Sequence, residues 1–239
     1  MSEKMAIVTG TSSGIGKALT ERLLDDGWKV FGIARREAKF DGDYQHVQAD
    51  LSDPAAATQL GPRLEAEMAF NTFSRLALVN NAATPGQKRS YGEQSEQATF
   101  RNIAINLSAP IALMDVAVRL LPEGAALRVV NISSGLAYQP LGSLADYCAS
   151  KAGLHMAGEV LASENHPHTA VLSYAPGIVD TEMQQSLRGE NDEDFASVNV
   201  FRAMHDEGRL ATAKAVIVPI VDFLEDDTIT GFHQSRYGT

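Results

Sequence analysis

Short apolar runs and amphipathic stretches alternate along the whole chain. Met5–Val8 reads as a buried strand. Ala18, Leu19, Leu23 and Leu24 follow at helical spacing. Lys29–Ala34 is a second strand and Gln45–Ala49 a short third. Leu60, Leu64 and Met68 recur every fourth position, the stripe of a helix lying on a sheet. Leu76–Val79 is a fourth strand. A long helix follows, about Glu96 to Leu121, with Ile103, Leu107, Ile111, Met114 and Val118 as its core stripe. Leu127–Ile132 and Thr169–Tyr174 are further strands, separated by a helix from about Ala145 to Glu164. Ala211–Leu224 is a last helix, Ile229–Phe232 a last strand, and Gln234–Thr239 a polar tail. Alternation of this kind predicts an α/β fold. The expected form is one doubly wound parallel sheet of about seven strands, with helices on both faces, in one domain over 1–239.

Residues of about 182–208 break the alternation. A segment this long between a strand and the last helix predicts a substrate lid built of short helices, with Phe195, Val198 and Phe201 facing inward. The acidic cluster Glu190–Asp194 reads as its solvated tip. Tyr138, Pro140 and Leu141, in the loop 135–146, either line a pocket or pack the surface; the pattern leaves both open.

Composition narrows the classes. A formal net charge of −10 argues against nucleic acid as a partner, because phosphate contacts need basic patches. The lone cysteine, Cys148, excludes an internal disulfide and reads as a small buried helix residue. No signal peptide and no apolar run long enough to span a membrane is apparent, so a cytoplasmic protein with no membrane partner is expected. No metal site is expected.

The chemistry concentrates at strand ends. Gly10, Gly14 and Gly16, with Ser12, Ser13 and Ile15 between them, lie between a strand and a helix start. Free backbone N–H groups and the positive helix end there favour a phosphate, and glycines let it approach. This predicts a Rossmann-type dinucleotide site. Ala34 stands where an acid would repel a 2′-phosphate, and Arg35 follows with a bidentate fork, so NADP(H) is expected over NAD(H). Glu37 is near enough to neutralise one of the arginines. Asp50, with Leu51, ends the third strand and suits either the adenine amino group or a helix N-terminus. Asn80, Asn81 and Ala82 again permit close backbone approach to a ligand. Pro176, Gly177 and Ile178 follow the sixth strand and are expected to touch the cofactor, with the Thr181 hydroxyl near a cofactor phosphate or amide. Asn106 is either a satisfied core asparagine or a functional one. Pro110 has no N–H to give the Asn106 carbonyl, which leaves that carbonyl able to hold a water.

Tyr147 and Lys151 are four residues apart, hence on one helical face. The ammonium is expected to favour the phenolate and lower the tyrosine pKa towards working pH. Ser134, at the preceding strand end, is placed to hold a carbonyl oxygen against the phenol.

These pieces in this order resemble the short-chain dehydrogenase/reductase family over nearly the whole chain. They are Thr9-Gly10-x-x-x-Gly14-x-Gly16, Asp50, Asn80-Asn81-Ala82, Asn106, Ser134, Tyr147-x-x-x-Lys151 and Pro176-Gly177. The resemblance implies Tyr147 as acid/base. It implies Lys151 as its pKa tuner and ribose ligand, Ser134 as carbonyl anchor and Asn106 as holder of a relay water. It implies pro-S hydride transfer and a homodimer or homotetramer. Val130–Gly135 and Ser173–Gln184 are similar to the sepiapterin reductase and bacterial benzil reductase branch. That branch implies an NADPH-dependent ketone or diketone reductase with a small-molecule carbonyl substrate. Sepiapterin reductases use an acid near the C-terminus against the pterin, and the tail Gly231–Thr239 has none. An aromatic or small diketone is therefore the expected substrate. The alternatives are an NADP(H)-binding sensor without turnover and an NAD-dependent alcohol dehydrogenase.

Overall fold

The computed structural model describes residues 3–68, 72–191, 195 and 197–238. Seven parallel strands form one sheet in the order β3-β2-β1-β4-β5-β6-β7. They are β1 (Lys4–Thr9), β2 (Lys29–Ala34), β3 (Tyr44–Gln48), β4 (Arg75–Asn80), β5 (Ala126–Ile132), β6 (Thr169–Ala175) and β7 (Gly231–Arg236). The order reverses between β1 and β4, which opens a crevice at the carboxyl ends of these two strands.

The central strands are covered on both faces and so read as continuous apolar runs. On one face α2 (Pro54–Met68), α4 (Ala109–Leu120) and α5 (Ala145–Ser163) bury Leu60, Leu64, Leu113 and Leu154 against Ile7, Leu78 and Val129. On the other, α1 (Gly14–Asp25) and the helices near the C-terminus bury Leu19, Leu23, Ile220 and Leu224 against Val8, Val30 and Leu172. Each such fully buried aliphatic side chain contributes about 1.5–3 kcal/mol.

Four elements differ from the expected pattern. The long helix is α3 (Glu96–Ile103), one π turn (Ala104–Ser108) and α4 in series. The Ala109 N–H bonds the Ala104 carbonyl, five residues back. Pro110 cannot donate to Asn106 and its ring crowds that carbonyl, so the ladder widens by one residue. The extra residue turns the helix, and Ile111, expected in the core, is 45% exposed. Second, α8 (Ala213–Val216) and α9 (Val218–Glu225) replace one last helix. Pro219, in the first turn of α9, lacks the N–H that would continue α8. Third, β7 runs through residues expected as polar tail. It is an edge strand bonded to β6 through its main chain, so polar side chains cost it little. Fourth, Glu96–Leu120 is long and apolar enough, by length and composition, to cross a membrane, against expectation. In this fold its inner face packs on the sheet and on α5.

The segment after β6 forms two short helices, α6 (Glu182–Arg188) and α7 (Val198–Asp206). Phe195 and Val198 are fully buried and pack with Leu136, Leu141, Leu187, Phe201, Cys148 and Tyr147. Asp192–Asp194 of the acidic cluster lie outside the described residues. Glu190 is not a solvated tip. It pairs at 3.0 Å with Lys88, whose side chain is 9% exposed.

Candidate active site

The carboxyl ends of β1 and β4 are joined by one side chain. The Thr9 hydroxyl accepts from the backbone N–H groups of Asn81 (2.9 Å) and Ala82 (2.8 Å). Asn81 Nδ2 donates back to the Thr9 carbonyl at 2.8 Å. Gly16 permits this closeness, since a Cβ there would stand 2.3 Å from the Gly10 carbonyl and 2.5 Å from Asn81 Nδ2. Thr9 matters here through its hydroxyl, a role that the glycine spacing alone did not reveal.

Above this floor Ser13 caps α1 in extended backbone without a side-chain bond to the helix, so the first-turn N–H groups face the crevice. Ile15 is buried behind them, and Ser12 and Ser13 are partly exposed. Thr181 stands opposite: a Cβ on Gly14 would lie 3.2 Å from its Cγ2. Thr181 also caps α6, accepting from the Gln184 N–H at 3.4 Å. Pro176 is buried, Gly177 exposed, and Ile178 accepts from the Ala211 N–H at 2.9 Å. A helix start with no side-chain cap, faced by small residues, fits the diphosphate of a dinucleotide.

The basic rim gives the two arginines different partners. Arg35 reaches Asp50 at 3.9 Å. Arg36 spans the crevice mouth, donating to Ser13 Oγ (3.3 Å) and pairing with Glu182 (3.0 Å). Glu37 pairs with Lys39 at 3.2 Å and not with either arginine. Asp50 accepts from the Ser52 N–H (2.9 Å) and hydroxyl (2.7 Å), and these bonds with Arg35 hold its pKa below the usual value despite partial burial. Leu51 is buried beside it. Asn80, 2% exposed, donates Nδ2 to Asn131 Oδ1 at 2.8 Å, and its own Oδ1 has no protein partner.

Ser134, Tyr147 and Lys151 come together at the carboxyl end of β5. Lys151, 2% exposed, donates Nζ to the Ile132 carbonyl at 2.7 Å and stands 5.7 Å from the centre of the Tyr147 ring. The expected lowering of the tyrosine pKa is not what this state shows. Burial pushes Tyr147 up to about 12, and the Ser134 hydroxyl beside it only partly opposes this. Burial likewise pushes Lys151 down to about 8. Tyr147 packs against Leu144, Phe195 and Val198, and Lys151 is buried beneath it, so each group loses hydration of its charged form.

Asn106 is a satisfied asparagine as far as its side chain goes. Oδ1 accepts from the Thr84 N–H at 2.9 Å. Nδ2 donates to the Thr84 carbonyl (2.9 Å), Asn102 Oδ1 (3.1 Å) and Ser150 Oγ (3.2 Å). Its backbone carbonyl lies in the π turn and gets no N–H from Pro110. Asp146, which the sequence pattern did not single out, is 4% exposed and accepts the Tyr147 N–H at 2.8 Å through Oδ1.

The family model for short chain dehydrogenase matches residues 4–192. With the sheet order and the site described above, the chain belongs to the short-chain dehydrogenase family. It is 30% identical to a benzil reductase ((S)-benzoin forming) of Bacillus cereus over 237 residues, covering 94% of this chain and 95% of that protein. It is 31% identical to the sepiapterin reductase of Mus musculus over 253 residues, covering 98% and 96%. Among solved structures, a Beutenbergia cavernae protein with bound NADP shares 27% identity at a TM-score of 0.82, covering 99% of this chain and 95% of that one.

Proposed function

We propose that this chain is an NADPH-dependent carbonyl reductase acting on ketones and small or aromatic diketones. The observation that carries the reading is the meeting of Ser134, Tyr147 and Lys151 at the sheet edge that also bears the uncapped start of α1. A bound nicotinamide supplies the hydride. Ser134 holds the carbonyl oxygen. Tyr147 keeps its proton at neutral pH because burial holds it near 12, so it is a general acid ready to protonate the forming alkoxide. The Lys151 ammonium, fixed by the Ile132 carbonyl, offsets the charge left on the phenol and binds the ribose hydroxyls. The Asn106 carbonyl holds a relay water.

Arg35 and Arg36 at the crevice mouth support NADPH. The names of the benzil and sepiapterin reductases support a carbonyl substrate. Residues 182–208 act as the lid, their apolar side chains resting on Tyr147. A homodimer or homotetramer is supported by Phe100, Ile111, Met156 and Val160, which are 74%, 45%, 56% and 50% exposed on α3, α4 and α5.

The test is consumption of NADPH and NADH with benzil, sepiapterin and aliphatic diketones, for the native chain and Tyr147→Phe. NADPH-dependent turnover that falls by about 100-fold or more in the variant, with cofactor affinity retained, is expected. Full activity of the variant refutes the mechanism.

A further inference from the structure

The edge strand β3 carries a row of polar side chains on the face that α1 covers. Tyr44, His46 and Gln48 alternate along it and so point the same way, and Tyr44 packs with Leu19 and Leu23 of α1. Each of the three is bonded to a neighbour. Gln48 Nε2 donates to the Arg35 carbonyl at 3.1 Å. His46 Nδ1 lies 3.1 Å from the Tyr44 hydroxyl, and that hydroxyl lies 3.1 Å from Thr11 Oγ1. The row thus runs from the edge of the sheet to the glycine-rich loop.

The path crosses β2 at a glycine. In the register Tyr44 stands beside Val30 and His46 beside Gly32, so the Tyr44 ring leans forward along the sheet. A Cβ on Gly32 would stand 2.3 Å from the Tyr44 hydroxyl and 2.5 Å from its Cε2. The ring occupies the gap that this glycine leaves, and Phe40 meets it edge-on at 4.7 Å. Burial raises the Tyr44 pKa and lowers that of His46, so both side chains are neutral at neutral pH. The phenol bonds two partners with one proton, which fixes its position between them.

Thr11 is fully buried, whereas the next residues, Ser12 and Ser13, are partly exposed. Its side chain therefore points beneath the loop that is offered to the diphosphate. The Gly10 N–H, bonded to the Ile33 carbonyl at 2.7 Å, is the other anchor there. A glycine-rich loop loses much backbone freedom when it closes on a ligand, and an anchor made beforehand reduces that cost. We propose that Tyr44 is a positioning residue for the cofactor, holding the glycine-rich loop through Thr11 in the shape that receives the diphosphate. This rests on dinucleotide binding at that loop and is independent of which carbonyl is reduced.

The experiment measures the affinities of NADPH and NADH by fluorescence for the native chain, Tyr44→Phe, Thr11→Val, Thr11→Ser and the double variant Tyr44→Phe/Thr11→Val, with thermal melts alongside. The diphosphate is common to both nucleotides. Tyr44→Phe is expected to raise both Kd values by about three- to tenfold, the worth of one hydrogen bond, and to leave their ratio unchanged. Thr11→Val should do the same, Thr11→Ser should keep native affinity because it keeps the hydroxyl, and the double variant should bind no more weakly than either single one. A lower melting temperature with native affinities in Tyr44→Phe shows a structural role only and overturns the proposal. So do losses that add in the double variant, or a changed ratio of the two nucleotides. In each of these cases nucleotide binding by the native chain leaves the cofactor reading standing. A native chain that binds neither nucleotide overturns the cofactor reading and this role with it.

Discussion

Asp146 Oδ1 accepts the backbone N–H of Tyr147 at 2.8 Å, so the residue next to the phenol fixes where α5 begins. The same carboxylate takes the Gln87 N–H and feels the Lys88 ammonium, although burial raises its pKa overall. It ties the loop after β4 to the helix that carries Tyr147 and Lys151. Gly86 fits against it only because it has no side chain: a Cβ would stand 2.6 Å from Asp146 Oδ2 and 2.4 Å from Asn102 Nδ2, at φ +69°. Asp146→Ala is expected to cost about 1–3 kcal/mol of stability. It is also expected to lower kcat by about 10- to 100-fold through a displaced phenol. Chemical denaturation and steady-state kinetics check both. Gly86→Ala should reproduce the kinetic defect with the carboxylate still present.

Lys151 makes stability depend on pH. Its pKa is about 8 in the folded chain against 10.5 in its ordinary state. Between these values the unfolded chain binds more protons, so stability rises with pH, by about 1.4 kcal/mol per unit. Tyr147 acts in the opposite sense higher up, between 10.0 and about 12, where the unfolded chain loses its proton first. Urea midpoints from pH 7 to 10 should therefore climb in the ligand-free native chain more than in Lys151→Met. Parallel pH curves for the two proteins would contradict the assignment.

The proposed NADPH preference makes a different prediction for each of the two arginines. Arg35→Asp places an acid beside Asp50 and should shift preference from NADPH towards NADH. Arg36→Gln removes the bonds to Ser13 and Glu182 and should weaken both cofactors. Affinities of the two nucleotides, measured by fluorescence for each variant, separate the roles. An unchanged ratio in Arg35→Asp counts against the 2′-phosphate assignment.

The exposed apolar side chains of α4 and α5 give a test of assembly. Met156→Glu and Ile111→Glu place charges on the outer faces of these helices. Sedimentation should show a smaller species for the double variant than for the native chain. An unchanged mass would put the contact elsewhere.

The sheet was legible because each buried parallel strand is a bounded apolar run. Lys29–Ala34 has the same limits in the sequence reading and in the structure. The glycine loop and the Tyr147–Lys151 spacing were legible because turn chemistry and helical period are local. The misses come from effects that period alone does not carry. Pro110 inserted a residue into the helical ladder and turned Ile111 outward, although the proline itself was visible. β7 is specified by bonds to β6, which a polar sequence does not advertise. The direction of the Tyr147 pKa depends on desolvation by the chain packed around the phenol, a tertiary property. Asp146, Arg36 and Lys88 matter through partners distant in sequence.

The α6 part of the segment over Tyr147 is held at its two ends by ion pairs of different character. At the start of α6, Arg36 and Glu182 are each 62% exposed. Beyond the end of α6, Lys88 is 9% and Glu190 29% exposed, and Lys88 also donates to Ser186 at 3.3 Å. Ionic strength screens the first pair and leaves the second largely untouched. Added salt therefore loosens α6 only where it meets Arg36, and leaves the Lys88 end pinned.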